Sequence, residues 1–226
     1  MKKNQMMIMT LCGAMLLAGC QTTQMSNTAK GGIIGGGTGA TAGAIIGGLI
    51  GHGKGAAIGA AIGAAVGTGA GVVIGKKMDK KAAQAAQIEG AQVEQVTDKN
   101  GLPAVKVSFA AGILFDFNSA ALSQDAKSSL QELSRILRED ATTDIAIIGH
   151  TDKVGTYEVN IKVSNNRAFA VQNYLQQCGV PLVQIKETKG MGYDQYDESK
   201  SAAENRRVEV YMYASEQMIR DAEAGR

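Results

Sequence analysis

The stretch that decides the fold is Gly149-His150-Thr151-Asp152-Lys153-Val154-Gly155, followed after eight residues by Ser164-Asn165-Asn166-Arg167-Ala168. The apolar run Ile145-Ala146-Ile147-Ile148 leads into it and has the length and branching of a buried strand. After it, Ala168, Val171, Leu175 and Cys178 recur at helical spacing. The reading is a strand over Asp144–Gly149, a polar loop, and a helix over Ser164–Cys178. Ser164 is placed at the helix N-cap, where its hydroxyl could accept from a first-turn amide. Asp152 and Arg167 thus sit at the loop-facing ends of two ordered elements.

An Asp and an Arg aimed at one point suit a zwitterion. The carboxylate accepts from an ammonium, and the planar guanidinium matches a carboxylate with two parallel bonds. The plainer alternative is a surface ion pair, worth about 0–1 kcal/mol.

Working outward, Val105, Val107 and Phe109 alternate as a strand, and Ala126, Leu130, Leu133 and Leu137 mark a helix over Ser123–Glu139. Gly179 and Pro181 stop the helix that carries Arg167. Two more strands are expected over Ile185–Lys189 and Arg207–Tyr213. Strands alternating with helices around one sheet make an α/β sandwich.

The motif Gly149-His150-Thr151-Asp152-x-x-Gly155, Arg167 fifteen residues after Asp152, and Asn205-Arg206-Arg207-Val208-Glu209-Val210 resemble the OmpA-like C-terminal domain shared by OmpA, Pal and MotB. The resemblance spans about residues 105–213. It implies non-covalent binding of the peptidoglycan stem peptide through the free D-amino-acid end of diaminopimelate. By the same resemblance Asp152 and Arg167 are the gripping pair, and Asp116, Thr151, Asn160 and Arg207 support them. The run Ile113-Leu114-Phe115-Asp116-Phe117-Asn118 resembles the family's Phe-Asp motif. The chain departs from the family after Gly192, where Tyr196 stands near a common Pro.

The N-terminal half is different in kind. Lys2 and Lys3, the apolar run Met6–Ala18 and Leu17-Ala18-Gly19-Cys20 read as a signal peptide over residues 1–19, the last four resembling a bacterial lipobox with Cys20 acylated. Gln21 after the Cys resembles an outer-membrane sorting signal. This predicts a lipid-anchored outer-membrane protein with its domain in the periplasm. Losing Lys2 and Lys3 leaves 21 basic and 21 acidic residues, a balance that speaks against nucleic-acid binding. Residues 20–30 read as a polar tether.

Gly then occupies every fourth position from Gly31 to Gly75, and 18 of the 29 glycines lie in this span. A four-residue step keeps one helix face bare, so that another backbone can lie against it. The polar turn Gly51–Gly55 divides the repeat into two apolar arms. The expectation is a glycine-zipper helical hairpin over residues 31–75, resembling YiaD-type lipoproteins, with homo-oligomerisation through the bare face. A flexible spacer is the alternative. The P-loop-like Gly48…Gly53-Lys54-Gly55 lacks the Ser or Thr that holds magnesium.

Residues 76–100 are charged and rich in Ala and Gln, and read as an exposed stalk. The wall-binding domain is expected over residues 101–214 and a polar tail over 215–226. Cys178 is the one cysteine outside the signal and lipobox, and reads as a small buried hydrophobe. His150 is expected to pack at its strand end. No nucleophile motif, metal-ligand cluster or cofactor signature appears, so no enzyme, metal or cofactor is expected. Two functions fit: a tether between lipid and wall, or a membrane-active zipper oligomer, a pore or scaffold, that the domain only anchors. A peptidoglycan-processing enzyme is disfavoured for want of an acid–base pair.

Overall fold

The computed structural model describes residues 69–98, 100–115 and 119–225. The signal peptide, Cys20, the tether and the glycine repeat as far as residue 68 lie outside the described residues, as does Asp116.

The described chain runs α1 (Gly69–Ala85), β1 (Ala91–Thr97), β2 (Pro103–Ala110), α2 (Ala111–Leu114), α3 (Gln124–Glu139), β3 (Thr143–Gly149), α4 (Tyr157–Gln177), β4 (Ile185–Gly190), α5 (Ala202–Asn205), β5 (Arg207–Ala214) and α6 (Glu216–Glu223). The five strands form one sheet in the order β1-β2-β5-β3-β4. β3 and β4 are parallel, joined through α4, and the other neighbours are antiparallel. This is the α/β architecture expected from the alternation of strands and helices.

One sheet face carries the main core. Val107, Phe109, Ile145, Ile147, Val208, Val210 and Met212 meet Leu130, Leu133 and Leu137 of α3 and Ala168, Val171 and Leu175 of α4. The other face holds a smaller cluster of Val96, Ala104, Ala146, Ile148, Tyr211 and Tyr213. Alternation along each strand produces both sets, because successive side chains point to opposite faces.

Three expectations are corrected. The stretch read as an exposed stalk is part of the fold, and so are residues 69–75, expected as the end of the zipper hairpin. Ala70, Ile74, Met78 and Ala82, four residues apart, bury one face of α1 in the main core. β1 then pairs with β2 over its whole length, from Ala91 opposite Phe109 to Thr97 opposite Pro103. Lysines at 76, 77, 80 and 81 conceal this stripe in the sequence. Even Lys81 is buried, and its ammonium is held below its ordinary pKa, chiefly by that burial. Glu139 at the end of α3 accepts from Lys80 (3.4 Å) and Gln84 (3.1 Å), tying the helices together.

Second, the Arg167 helix begins seven residues before the position expected. Thr156 is its N-cap and accepts from the Val159 amide, while Ser164 lies fully buried inside α4. Third, Cys178 is only half-buried and caps the C-terminus of α4. The tail forms α6, with Ser215 as N-cap and Met218, Ile219 and Ala222 in the core.

Ser164 explains two glycines. A Cβ on Gly149 would lie 2.2 Å from the Ser164 carbonyl oxygen, and one on Gly190 2.2 Å from the Asn165 amide nitrogen. The α4 backbone therefore rests directly on the ends of β3 and β4. Gly149→Ala should lower stability by roughly 2 kcal/mol or more, since an overpacked contact must push helix and sheet apart. Gly112→Ala, where a Cβ meets nothing within 4 Å, should be neutral or slightly stabilising. Urea denaturation of the two variants beside the parent checks the contrast.

Candidate functional site

The site lies where β3 ends and α4 begins. On α4, Asn160, Ser164 and Arg167 share the buried face that continues as Ala168, Val171 and Leu175. The helix thus turns a polar end of its core stripe toward the loop Thr151–Thr156. Ser164 Oγ donates to the Asn160 carbonyl (2.8 Å) and accepts from the Gly192 amide (2.9 Å). Asn165 Oδ1 accepts from the Gly190 amide (2.7 Å). These bonds lock α4 to the β4 end.

Asp152 turns its carboxylate back on its own loop, accepting from the Val154 amide (3.0 Å). Its other oxygen accepts from Arg206 Nη1 at 2.6 Å. Arg206 was not singled out from the sequence. It precedes β5 on the side of Val208 and Val210, and that alternation is the signal that could have found it. Its side chain is 41% exposed, so the pair contributes little to stability.

Arg167 is different. It is 9% exposed, its guanidinium lies over the Phe115 ring at 5.3 Å, and Nε reaches the Ser119 carbonyl at 3.4 Å. Among the described residues no carboxylate lies within ion-pair distance of it. Burial, and then the charge of Arg206, lower its pKa against the pull of Asp152. It remains a cation, as Arg does in proteins. A half-desolvated guanidinium with one donor used among the described residues, next to Asp152 and a second guanidinium, has the chemistry to receive an anion.

The other expected residues fall around this group. Asn160 is buried and gives both amide hydrogens to loop carbonyls, Val154 (2.9 Å) and Thr156 (3.0 Å). It braces the loop that aims Asp152. The Thr151 amide bonds the Gly192 carbonyl (2.8 Å), and its buried hydroxyl has no partner among the described residues. Arg207 points away from the pair, across the sheet: Nε bonds Glu209 (2.7 Å) and Nη1 the Asn205 carbonyl (3.2 Å). The structure gathers Asp152, Arg167, Thr151 and Asn160, and brings in Arg206 where Arg207 was expected.

Behind the site, His150 Nε2 meets Glu209 at 3.1 Å, and the Tyr211 hydroxyl donates to the same carboxylate at 2.7 Å. His150 thus packs and bonds at its strand end as expected. Burial pushes its imidazole below its ordinary pKa, against the pull of Glu209. Burial also pushes the Glu209 carboxyl up, but His150, Arg207 and Lys106 outweigh it and hold it well below the usual range. We read an ionised Glu209 and a neutral His150 that donates from Nε2.

The chain resembles known proteins in two stretches. Residues 114–209 match the OmpA family, and residues 1–79 match the YMGG-like Gly-zipper family. The chain is 34% identical over 102 residues to the protein named Probable lipoprotein YiaD of Escherichia coli (strain K12), covering 43% of this chain and 46% of YiaD. It is 34% identical over 74 residues to the peptidoglycan-associated lipoprotein of Agrobacterium fabrum, covering 33% and 42%. The chain thus spans less than half the length of either relative. A solved MotB-like protein from Desulfovibrio vulgaris has the same fold, with TM-score 0.54 and 21% identity over 64% of this chain and 96% of that one.

The buried network sets an acid sensitivity. Below the ordinary imidazole pKa of 6.5 the unfolded chain takes up a proton that folded His150 refuses, so stability falls with pH. Below 4.5 Glu209 adds a further loss of the same sign. Asp144, raised by burial to about 6, works the other way as pH falls through that value. His150→Gln should remove only the imidazole part. The change in urea midpoint from about pH 7.5 to about pH 5 should therefore be less negative, or more positive, in this variant than in the parent.

Proposed function

Starting from a chain that carries an OmpA-like domain after a YMGG-like Gly-zipper segment, we propose that it is an outer-membrane lipoprotein that holds the envelope to peptidoglycan without a covalent bond. The domain grips the zwitterionic end of diaminopimelate in the stem peptide. Asp152 accepts from the ammonium and Arg167 takes the carboxylate in its planar fork. Arg206 shares Asp152 while the ligand is away and lies beside the incoming carboxylate when it arrives. Thr151 holds a buried hydroxyl beside Asp152, and Asn160 fixes the loop. Asp116 belongs to this site by its place in the family's motif. Arg207 acts from behind, through Glu209.

The observation that carries the reading is Arg167: buried to 9% exposure, backed by Phe115, and without a carboxylate partner among the described residues. A protein keeps such a group where a ligand completes it. The name of the Agrobacterium relative supports the same substrate.

Asp152→Ala and Arg167→Ala should each abolish co-sedimentation with purified peptidoglycan while the domain stays folded, since a lost charge-assisted bond costs about 1.5–3 kcal/mol. Arg167→Lys should also fail, because an ammonium cannot form the fork. Variants that sediment as well as the parent would refute the site. The lipid anchor is assigned to Cys20. Cys20→Ala should lose incorporation of labelled palmitate and leave the signal peptide uncleaved, read by mass on a gel; retained label would move the anchor elsewhere.

A further inference from the structure

The loop after Gly192, where the chain departs from its family, carries an aromatic rim that the zwitterion grip leaves unused. Tyr157, in the first turn of α4, and Tyr193 pack edge to face with centroids 5.6 Å apart. The Tyr157 hydroxyl donates to Asp194 (3.1 Å), and the ring is 43% exposed. The Lys153 ammonium lies 4.7 Å above the Tyr196 ring and pairs with Glu198. Half of the chain's six tyrosines stand in this one rim.

The rim is fixed to the site. Lys153 follows Asp152 directly, and Gly192, before Tyr193, accepts from the Thr151 amide. The loop behind it is pinned by buried Asn205, whose amide oxygen accepts from the Asp197 amide (2.8 Å) and whose amide nitrogen donates to the Asp197 carbonyl (2.9 Å). Ser201 and Glu204 close a capping box on α5. One exposed ring on the first turn of α4 and two half-buried rings on a braced loop are cheap to use, because little freedom remains to be lost on binding.

We propose that this rim is a saccharide subsite: the tyrosine faces stack on a ring of the N-acetylated glycan that bears the stem peptide, and Asp194, Lys153 and Glu198 bond its hydroxyls. The proposal rests on the stem-peptide reading above. The occupant follows from that ligand's chemistry, since the stem peptide is bonded to a muramic-acid residue and gripping one brings the other to the neighbouring surface. A sugar ring has an apolar C–H face and a polar edge, which match tyrosine faces bordered by charged side chains.

The test compares two probes on the full chain by calorimetry: the free diaminopimelate-containing tetrapeptide, and the same peptide carried on its N-acetylglucosamine–N-acetylmuramic acid disaccharide. The parent should bind the disaccharide form about threefold to tenfold more tightly, the range of one aromatic contact. Tyr157→Ala and Tyr193→Ala should erase that difference and keep the affinity for the free peptide. Tyr157→Phe, which keeps the ring and loses only the bond to Asp194, should retain most of the gain and guards against misfolding. Equal affinity of the parent for both probes overturns the subsite while leaving the zwitterion grip intact. So does a loss in the alanine variants that is the same for both probes, since the tyrosines then only brace the loop. A parent that binds neither probe overturns both readings.

Discussion

The contact on which the rest depends is backbone on backbone. α4 lies against Gly149 and Gly190 with its Ser164–Asn165 peptide where any Cβ would be. A helix held that close cannot roll, because Ser164 and Asn165 bond the Gly192 and Gly190 amides. The same contact settles which α4 residues look into the loop. Asn160 and Arg167 are one turn on either side of Ser164, so seating the serine seats both. Arg167 can then stay buried over Phe115 without an ion-pair partner among the described residues, since the surrounding packing and the bond to the Ser119 carbonyl fix where it points.

Strand alternation supplies the second constraint. Adjacent arginines at the start of β5 part to opposite faces of the sheet. Arg206 joins Asp152 in front, and Arg207 joins Glu209, His150 and Tyr211 behind. One dipeptide thus serves both the ligand face and the buried network beneath it. The electrostatics differ accordingly. The front pair is half in water and exchangeable, whereas the rear carboxylate accepts from three side chains and is held in place.

Much of this was legible in the sequence. The strands over Val105–Phe109, Asp144–Gly149, Ile185–Lys189 and Arg207–Tyr213 were readable because their alternation or apolar run is uninterrupted. The α3 stripe was equally plain. Asp152 and Arg167 stood out from motif and spacing. What was hidden had local causes. Ser164 resembles an N-cap because serine favours that place, and the true start at Tyr157 is disguised by Glu158–Lys162, where polar and apolar residues alternate without a helical period. Its burial depends on two distant glycines that no local pattern reveals. The fold of residues 69–97 was masked by charge: lysines fill the solvent side of α1, and β1 offers only Val93 and Val96 to the two faces of an edge strand. The choice between Arg206 and Arg207 required the sheet's sidedness, which Val208 and Val210 record.

The incorporation of α1 and β1 changes the reach of the molecule. Extended at about 3.3 Å per residue, residues 69–97 could have spanned roughly 95 Å. Folded, they add almost none of that length. A pull from the N-terminal side enters through a helix packed on β2 and α6 and an edge strand zipped antiparallel to its neighbour. Within the described residues, extra slack on this side would come from peeling β1 from β2 and drawing Ile74 and Met78 out of the core. The first part of the domain to feel such tension is therefore the part farthest in sequence from Asp152 and Arg167, and the β3–α4 corner that carries them would be loaded last.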